Sequence, residues 1–428
     1  MKSEKSSTLS FTPWTIAAVV AAFATYYCMY SFRKPFTVLA FDGAWGAFEL
    51  KTAIVTSQLI GYVTAKFLGT HFCSGLRRDR VFYALMGCIL AALGSLALLA
   101  VLPAKLGVIA MALNGLSLGM VWGMVMRPLE GRGSSEFLLA GLCCSFIIAS
   151  GDVKTTGKRV LESDLFHNIF GSELWMPFAT CLLYLIPFTI AAFILSKVPK
   201  PSLAEEATRS ARNRMTWQDR TAFIKNLLGI LIPLAITYFM LTAFRDYRDN
   251  FQADLFEEVG VDISSKKGIF STTERIIAFS VVGVTALVIL IKRHLSALQT
   301  SHVVMALSLT LPTIAIILRK SETIDGMTWM VLNGIGAYIP YILIHCVTFE
   351  RLVSLTKSPG NAVFAMMLFD GLGYIGPIIM IPLGDFIGGD SRLETFDSLT
   401  YALSAVGVLS MIACYIIAPR YKKDDNVS

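Results

Sequence analysis

Charged side chains are scarce in this chain. Asp, Glu, Lys and Arg make up only 16% of the 428 residues, whereas hydrophobic residues make up 55%. A soluble chain usually carries roughly 25% charged residues. Apolar stretches recur along the sequence, and at about twenty residues each is long enough to cross a bilayer as a helix. Short alternating segments typical of a membrane barrel are missing, so we expect a bundle of membrane-spanning helices.

The chain also lacks the sequence signatures of common enzymes. Its five histidines have no zinc-protease spacing, and neither a Gly-x-Ser-x-Gly elbow nor a Walker A segment occurs. The eight cysteines lie almost entirely in apolar runs without paired spacing, which indicates neither a disulfide framework nor a metal site. We therefore expect no enzymatic activity, no cofactor and no bound metal.

Twelve apolar runs are predicted to span the membrane. The first is longer than a straight crossing needs, and Pro35 predicts a tilt or a break within it. No small-residue cleavage pattern follows this run, so we expect it to be retained as the first span. The predicted spans lie near residues 12–40, 50–71, 81–102, 104–127, 135–157, 172–196, 224–250, 268–292, 298–319, 325–350, 360–388 and 396–418.

The distribution of Lys and Arg predicts the orientation of these helices. Basic residues concentrate near both termini, in alternate loops and in the polar stretch 197–223, whereas the opposite loops are richer in acids. Both termini and the stretch 197–223 are therefore predicted to face the cytoplasm, with the chain in the cell inner membrane. This asymmetry accounts for most of the net charge of +7, so no nucleic-acid partner is expected.

The two halves of the chain share short motifs. Residues 25–33 contain Thr-Tyr-Tyr and then Phe-Arg, and residues 237–245 contain Thr-Tyr-Phe and then Phe-Arg at the same spacing. Leu-Asn-Gly occurs at 113–115 and again at 332–334. Both matches pair span n with span n+6, as duplication of a six-helix unit would. The prediction is an all-α membrane protein of two six-helix repeats: an N-terminal bundle (1–196), a cytoplasmic linker (197–223) and a C-terminal bundle (224–428).

Ionisable side chains occur inside several predicted spans. Each costs roughly 2.5–3.5 kcal/mol at a helix centre, so such residues need partners or a wet cavity and are candidate site residues. The predicted substrate-binding residues are Arg33, Lys34, Lys66, Arg245 and Arg248, with Tyr26, Tyr30 and Tyr62, and the predicted coupling or gating residues are Asp152, Lys154, Asp249, Glu274 and Asp370.

Helical spacing places some of these residues on the same face of a helix. Tyr26, Tyr30 and Arg33 lie on one side of the first span. Arg33 and Arg245 hold matched positions in the two repeats, so they are expected to meet near the central axis. A guanidinium group offers paired donors that suit phosphate or carboxylate oxygens, which predicts a site for a small anion. The alternative is structural: the charges snorkel to the interface or form internal salt bridges.

Two pairings are also expected. Lys34 has no acidic neighbour in its own helix, so Asp249 or Glu274 from the second half is its expected partner. Arg245 and Asp249 lie one helical turn apart and are expected to neutralise each other in part.

Four segments carry a resemblance to a known family. They are Tyr-Tyr-Cys-Met-Tyr-Ser-Phe-Arg-Lys-Pro-Phe at 26–36, Tyr-Val-Thr-Ala-Lys-Phe-Leu-Gly at 62–69, the Asn-Gly and Gly-Met-Val-Trp groups within 113–122, and Asp-Gly-Leu-Gly at 370–373. Together with Arg245, they resemble the organophosphate:phosphate antiporter branch of the major facilitator superfamily.

The resemblance implies a rocker-switch carrier in which Arg33 and Arg245 bind phosphate. It also implies that Lys34 and Lys66 tune the charge of the cavity, while acids such as Asp249 hold or release these cations during exchange. The segment after Arg245 is more charged than this branch requires, which leaves the substrate open.

We therefore predict a secondary active transporter that exchanges a small organic anion, a phosphorylated metabolite, for phosphate by alternating access. Two alternatives stay open: a proton-coupled symporter of a non-phosphorylated organic anion, and a transporter-like sensor. The expected partners are the small anion, phosphate or protons as coupling species, and the lipid bilayer. The protein is expected to act as a monomer.

Overall fold

Helices form nearly all of the chain that the structure describes. The computed structural model describes residues 13–75, 78–126, 135–199, 216–356, 362–387 and 391–421. Lipid cannot satisfy backbone N–H and C=O groups, so long apolar runs fold as helices that pair these groups internally. We call residues 13–199 the first half and residues 216–421 the second half.

The first half consists of helices and one small hairpin. Its helices are α1 (Pro13–Met29), α2 (Leu50–Gly75), α3 (Val81–Val101), α4 (Gly107–Leu118), α5 (Val121–Met126), α6 (Ser135–Leu161), α7 (Asp164–Phe170) and α8 (Met176–Lys197). Its strands, β1 (Ala44–Trp45) and β2 (Phe48–Glu49), pair antiparallel. Short 3-10 turns lie at Tyr30–Phe32, Pro35–Val38, Arg78–Arg80, Ala104–Leu106 and Glu173–Trp175.

The second half forms helices and no strand within its described residues. Its helices are α9 (Trp217–Asn250), α10 (Gln252–Glu258), α11 (Ile269–Ile289), α12 (His294–Lys320), α13 (Gly326–Leu343), α14 (Phe349–Thr356), α15 (Ala362–Ile387) and α16 (Arg392–Ile417). A π-helical turn, Ile344–Thr348, joins α13 to α14, and a 3-10 turn, Ala418–Tyr421, ends the described chain.

Nine helical stretches among the described residues are long and apolar enough to cross a membrane, and a shorter apolar helix covers Ile16–Phe32. The chain is therefore a helical, multi-pass membrane protein, as the sequence indicates. The count of twelve spans, the two repeats and the orientation of the termini stay predictions.

The predicted linker is only partly described. Residues 200–215 lie outside the described residues, and α9 begins at Trp217, inside the predicted linker 197–223. The reason for this early start is a capping box, in which Thr216 and Asp219 satisfy each other's backbone N–H groups. The helix therefore begins in the polar sequence, before its apolar run.

The first helix breaks before Pro35. Helix α1 ends at Met29 and continues only as two 3-10 turns, because Pro35 cannot donate a backbone hydrogen bond. The carbonyls at the break are held by neighbouring helices: the Asn114 amide donates to Phe32 O at 3.0 Å, and the Gln58 amide donates to Arg33 O at 3.0 Å. The break predicted near Pro35 is confirmed, and it turns Arg33 and Lys34 towards the second half.

Glycines let α2 and α4 pack backbone to backbone. A Cβ atom on Gly115 would lie 2.0 Å from Gln58 O, and one on Gly61 would lie 2.1 Å from Ala112 O. Small residues at such crossings are typical of membrane helix pairs. This close approach places Gln58 beside Asn114, to which it donates at 2.8 Å, and so completes the support of the break.

The two halves pack in parallel patterns. In the first half α1 packs on α6 and α8, α2 on α4, and α3 on α4 and α8. In the second half α9 packs on α15 and α16, α11 on α13, and α12 on α13 and α16. The halves meet where α2 packs on α15 and where α6 packs on α11.

Candidate functional site

A small cavity lies between the two halves. Its volume is about 40 Å³, whereas sites for organic ligands span roughly 300–1,000 Å³. The halves are therefore drawn together around it in this conformation. The cavity is lined by Tyr26, Tyr30, Tyr62, Lys66, Trp122, Cys143, Phe146, Arg245, Tyr341, His345, Asp370 and Tyr374.

Arg33 lies directly behind the tyrosines that line this cavity. Its guanidinium carbon is 4.2 Å from the ring centre of Tyr62 and 5.9 Å from that of Tyr30. The side chain is only 4% exposed, and its Nε has no hydrogen-bond partner. Within the part of the chain that the structure describes, Arg33 has no ion-pair partner. It is a buried cation with no acid of its own among these residues, because the one that acts on it electrostatically, Asp246, already pairs with Arg245.

Arg245 lines the cavity and has a counter-charge. Its Nε and Nη2 donate to one oxygen of Asp246 at 3.1 and 2.7 Å, and its guanidinium lies 4.1 Å from the ring centre of Tyr341. The expected neutralisation of Arg245 by Asp249 is therefore wrong. Asp249 turns towards lysines of the first half instead, which leaves the adjacent Asp246 to pair with Arg245.

Asp249 is the centre of an interface cluster, made of Lys34, Lys154, Asp249, Asn250 and Gln252. Lys34 Nζ lies 2.5 Å from one carboxylate oxygen of Asp249, and Lys154 Nζ lies 2.7 Å from the other. Lys34 also donates to Asn250 at 2.8 Å, and Lys154 to Gln252 at 3.0 Å. Of the two expected partners of Lys34, the structure selects Asp249. These residues join the halves but do not line the cavity.

Arg248 and Glu274 form a separate buried pair. Arg248 Nη2 lies 2.9 Å from a Glu274 oxygen, and both side chains are fully buried. Gln252 donates to the same oxygen at 2.9 Å, which links the pair to the interface cluster. The predicted substrate-binding residue Arg248 thus lies outside the cavity lining.

Lys66 and Asp370 line the cavity from opposite halves. Their ammonium and carboxylate groups form a direct ion pair between α2 and α15. Lys66 also lies 4.3 Å from the ring centre of Tyr374, and His345 Nε2 lies 3.9 Å from the second oxygen of Asp370. A predicted binding residue and a predicted coupling residue therefore share one contact.

Asp152 lies at a different contact between the halves. It accepts a hydrogen bond of 2.6 Å from the Tyr27 hydroxyl and one of 3.1 Å from Arg275, which is 57% exposed at its side chain. Asp152 joins α6 to α1 and α11 and does not line the cavity.

Ion pairs close the end of the interface where α2 begins and α15 ends. Arg392 pairs with Asp385 at 2.8 Å and directly with Glu49, and Thr52 donates to Asp385 at 2.9 Å. Lys51 pairs with an acid of α10 at 2.7 Å. Side chains of both halves thus seal this end.

Nearly the whole chain matches a protein family. Residues 35–420 match DUF5690, a family of unknown function. The chain belongs to this family. A search of curated proteins finds no significant match.

Several solved structures with this fold are transporters. A D-xylose-proton symporter matches with a TM-score of 0.62 at 15% identity, covering 96% of this DUF5690 chain and 98% of that chain. A bacterial homolog of the human lysosomal transporter Spinster, inward-facing and unoccupied, matches with a TM-score of 0.63 at 10% identity, covering 97% and 100%. The human organic anion transporter MFSD10 matches with a TM-score of 0.54 at 14% identity, covering 94% and 100%. This member of DUF5690 has the fold of major facilitator superfamily transporters.

Several lining residues of this DUF5690 member were not predicted from sequence. Tyr341 and His345 are one turn apart, as are Asp370 and Tyr374, so each pair shares a helix face. That spacing was a usable signal, because Asp370 was already a candidate. Cys143 and Phe146 carry no such signal, since apolar side chains in a span look alike whether they face lipid or a cavity. No group of His, Cys, Asp and Glu among the described residues is arranged to hold a metal.

Proposed function

We propose that this protein is a secondary active transporter of a small organic anion, a phosphorylated metabolite exchanged for phosphate by alternating access. The observation that carries the proposal is the buried guanidinium of Arg33. The cavity beside it presents Arg245 and the tyrosines Tyr26, Tyr30 and Tyr62.

The charges around the cavity support an anionic substrate. Arg245 pairs with Asp246 and Lys66 with Asp370, whereas Arg33 forms no ion pair with an acid of the described residues and only shares the charge of Asp246 with Arg245. A buried charge without a partner is costly. An anion in the cavity would supply the missing counter-charge, and a neutral substrate would not.

The same charge favours exchange over one-way movement. To change its orientation, the carrier must pass through a compact state in which the halves enclose the site. The empty carrier would bring Arg33 into that state without an ion pair, while a bound anion would offset the charge of Arg33 there. Because an isolated charge in the membrane interior is disfavoured, reorientation with an anion bound is easier.

The architecture proposed for this cycle is two six-helix repeats with twelve spans, placed in the inner membrane with both termini in the cytoplasm. The repeat is supported by the parallel packing of the halves, in which α1 with α8 corresponds to α9 with α16 and α2 with α4 to α11 with α13. The orientation is supported by the Lys and Arg distribution. Rocking of one half on the other would occur at the contacts of α2 with α15 and of α6 with α11.

Proton-coupled transport of a non-phosphorylated anion is the second candidate. The observation in its favour is that His345 and Asp370, both titratable, line the cavity. The two candidates differ in coupling. In liposomes loaded with inorganic phosphate, exchange should run without a pH gradient, whereas a requirement for the gradient would favour proton-coupled symport.

The central test uses purified protein in liposomes that contain inorganic phosphate, with labelled phosphate outside. Arg33→Lys and Arg245→Lys keep the charge but lose the planar, bidentate group. We expect near-complete loss of exchange in both, with normal membrane insertion. Arg275→Lys is the matched control, because Arg275 is outside the cavity, and it should retain exchange. Wild-type rates in both cavity variants would exclude an anion site here.

A further inference from the structure

His345 has an unusual environment for a histidine in a membrane helix. It lines the cavity and is 9% exposed. Its Nε2 lies 3.3 Å from the Tyr238 hydroxyl, its ring stacks on Tyr341 at 4.7 Å between centres, and its Nδ1 has no hydrogen-bond partner. In the tautomer whose Nε2–H donates to the Tyr238 oxygen, Nδ1 is the basic nitrogen, and it can take up a proton while that contact is kept.

The π-helical turn sets this position. Ile344–Thr348 inserts a wider turn between α13 and α14, and the Thr348 hydroxyl donates to Leu343 O at 3.1 Å. Such π turns are rare and occur often at functional sites. Here the turn carries His345 at the cavity wall, opposite Asp370.

Asp370 lies between two basic side chains, Lys66 and His345. One carboxylate oxygen pairs with Lys66, and the other lies 3.9 Å from His345 Nε2. That distance is too long for a hydrogen bond, but an imidazolium there would attract the carboxylate. The groups facing His345 are Lys66 from α2, Cys143 from α6, Tyr238 and Arg245 from α9, Tyr341 from α13, and Asp370 and Tyr374 from α15.

The cavity balances only one negative charge as it stands. With Arg245 and Lys66 each paired to an acid, Arg33 is the cation beside the cavity that forms no ion pair in the described part of the chain, so these five side chains together carry one net positive charge. A phosphate monoester carries about −1.5 to −2 at pH 7. A second positive charge is therefore needed for a dianion.

We propose that His345 is a proton-binding site, and that its protonation draws Asp370 away from Lys66 so that Lys66 binds the second charge of a phosphate dianion. The proton adds to the free ring nitrogen, and the positive charge of His345 then balances Asp370. Each dianion thus travels with one proton. This inference rests on the proposed function for its anion, but the proton site itself does not.

The first test needs no substrate. Full-length protein with ¹⁵N-labelled histidine side chains, in lipid nanodiscs, is titrated between about pH 5 and 8, where histidine normally changes charge. His345→Gln identifies the ring signal of His345. His302→Gln is the matched control, because His302 is fully buried on α12, neither of its ring nitrogens has a partner, and it does not line the cavity. Because Asp370 faces His345 and no acid faces His302 among the described residues, we expect the His345 ring to become charged at a higher pH than the His302 ring, and Asp370→Asn to remove that difference.

The second test adds inorganic phosphate to the same samples. The charged fraction of the His345 ring should rise at a given pH, by a factor of about five or more in the ring's protonation equilibrium. A ring that stays neutral at every pH overturns the proton site. A ring that titrates without any response to phosphate overturns its link to the anion. Loss of phosphate exchange in Arg33→Lys is measured separately, so failure of the anion site and failure of the proton site give different results.

Discussion

Lys34 and Asp249 form an ion pair of 2.5 Å between the two halves, with side chains that are only 2% and 7% exposed. Lys154 of α6, also in the first half, shares the same carboxylate. Two lysines of one half therefore depend on a single acid of the other. The halves cannot separate here without exposing these charges or giving them new partners, so this cluster resists opening of the interface.

Loss of Asp249 should be far more costly than loss of a similar acid nearby. Asp249→Asn leaves Lys34 and Lys154 without a counter-charge, and removal of one partner of a buried pair costs about 3–5 kcal/mol. Asp254→Asn is the matched control: Asp254 also pairs with a buried lysine of the first half, Lys51, but its own side chain is 27% exposed, so water screens this pair and its loss should cost less. Thermal unfolding of the purified variants measures both. Equal losses would contradict the role of the cluster.

Variants of the Arg248–Glu274 pair distinguish an effect on stability from an effect on substrate binding. Arg248→Met alone should destabilise the protein by about 3–5 kcal/mol, because Glu274 stays buried and charged. The double variant Arg248→Met with Glu274→Leu should recover most of that loss in a thermal unfolding assay. Because Arg248 lies outside the cavity lining, we expect the double variant to keep phosphate exchange. A stable double variant without exchange would restore the predicted role of Arg248 in substrate binding.

Gly115 should tolerate no side chain. Gly115→Ala places a Cβ atom 2.0 Å from Gln58 O, a backbone atom of α2, so α2 and α4 must move apart. Overpacking of this kind costs about 1–3 kcal/mol. Gly87→Ala meets no atom within 4 Å and should be neutral or slightly stabilising. The thermal unfolding midpoints of the two variants measure these effects. An unchanged midpoint in Gly115→Ala would mean that α2 and α4 are not in backbone contact.

Asp325 caps the N-terminus of α13, just before the apolar helical stretch that begins at Gly326. Hydrogen bonds from the Thr328 hydroxyl and backbone N–H, the latter 2.9 Å long, hold the pKa of Asp325 below its usual range. An acid with a lowered pKa stabilises the folded state above its unfolded pKa, near 3.9, and this contribution is lost as the pH falls through the folded value.

Two substitutions test the cap. Asp325→Ala should cost about 1 kcal/mol at neutral pH, whereas Asp325→Asn keeps an acceptor and should cost less. Unfolding is measured from pH 7 downwards. The free energy of unfolding of the wild-type protein should exceed that of Asp325→Asn at neutral pH, and this difference should become smaller at acid pH. A difference that stays constant with pH would show that the charge of Asp325 does not contribute.

Much of the fold could be predicted because its signals are local. Apolar length predicts a membrane helix, and Pro35 predicts the break in the first one, since both follow from what the backbone and lipid allow. The start of α9 at Trp217 was missed because a capping box in polar sequence outweighed the apolar pattern. Candidate charges were also visible, because a charge within an apolar run stands out from its neighbours.

The choice of partners could not be predicted in the same way. Arg245 has acids both next to it and one turn away, and sequence spacing favoured Asp249. In the structure Asp249 pairs with Lys34 and Lys154 from the other half, and Arg245 pairs with Asp246 instead. Contacts between the halves decide such pairings, and these contacts join residues that are remote in sequence.

The sequence by itself determined a helical membrane protein with a set of buried charges, because hydrophobicity and charge are properties of each segment alone. Only the tertiary structure decided which of those charges lacks a partner. Arg33 and Arg245 look equivalent as matched arginines, yet among the described residues Arg245 forms an ion pair with Asp246, whereas Arg33 forms none and lies over the rings of Tyr30 and Tyr62. The packing of helices from both halves around one cavity creates that difference, and the proposed anion site follows from it.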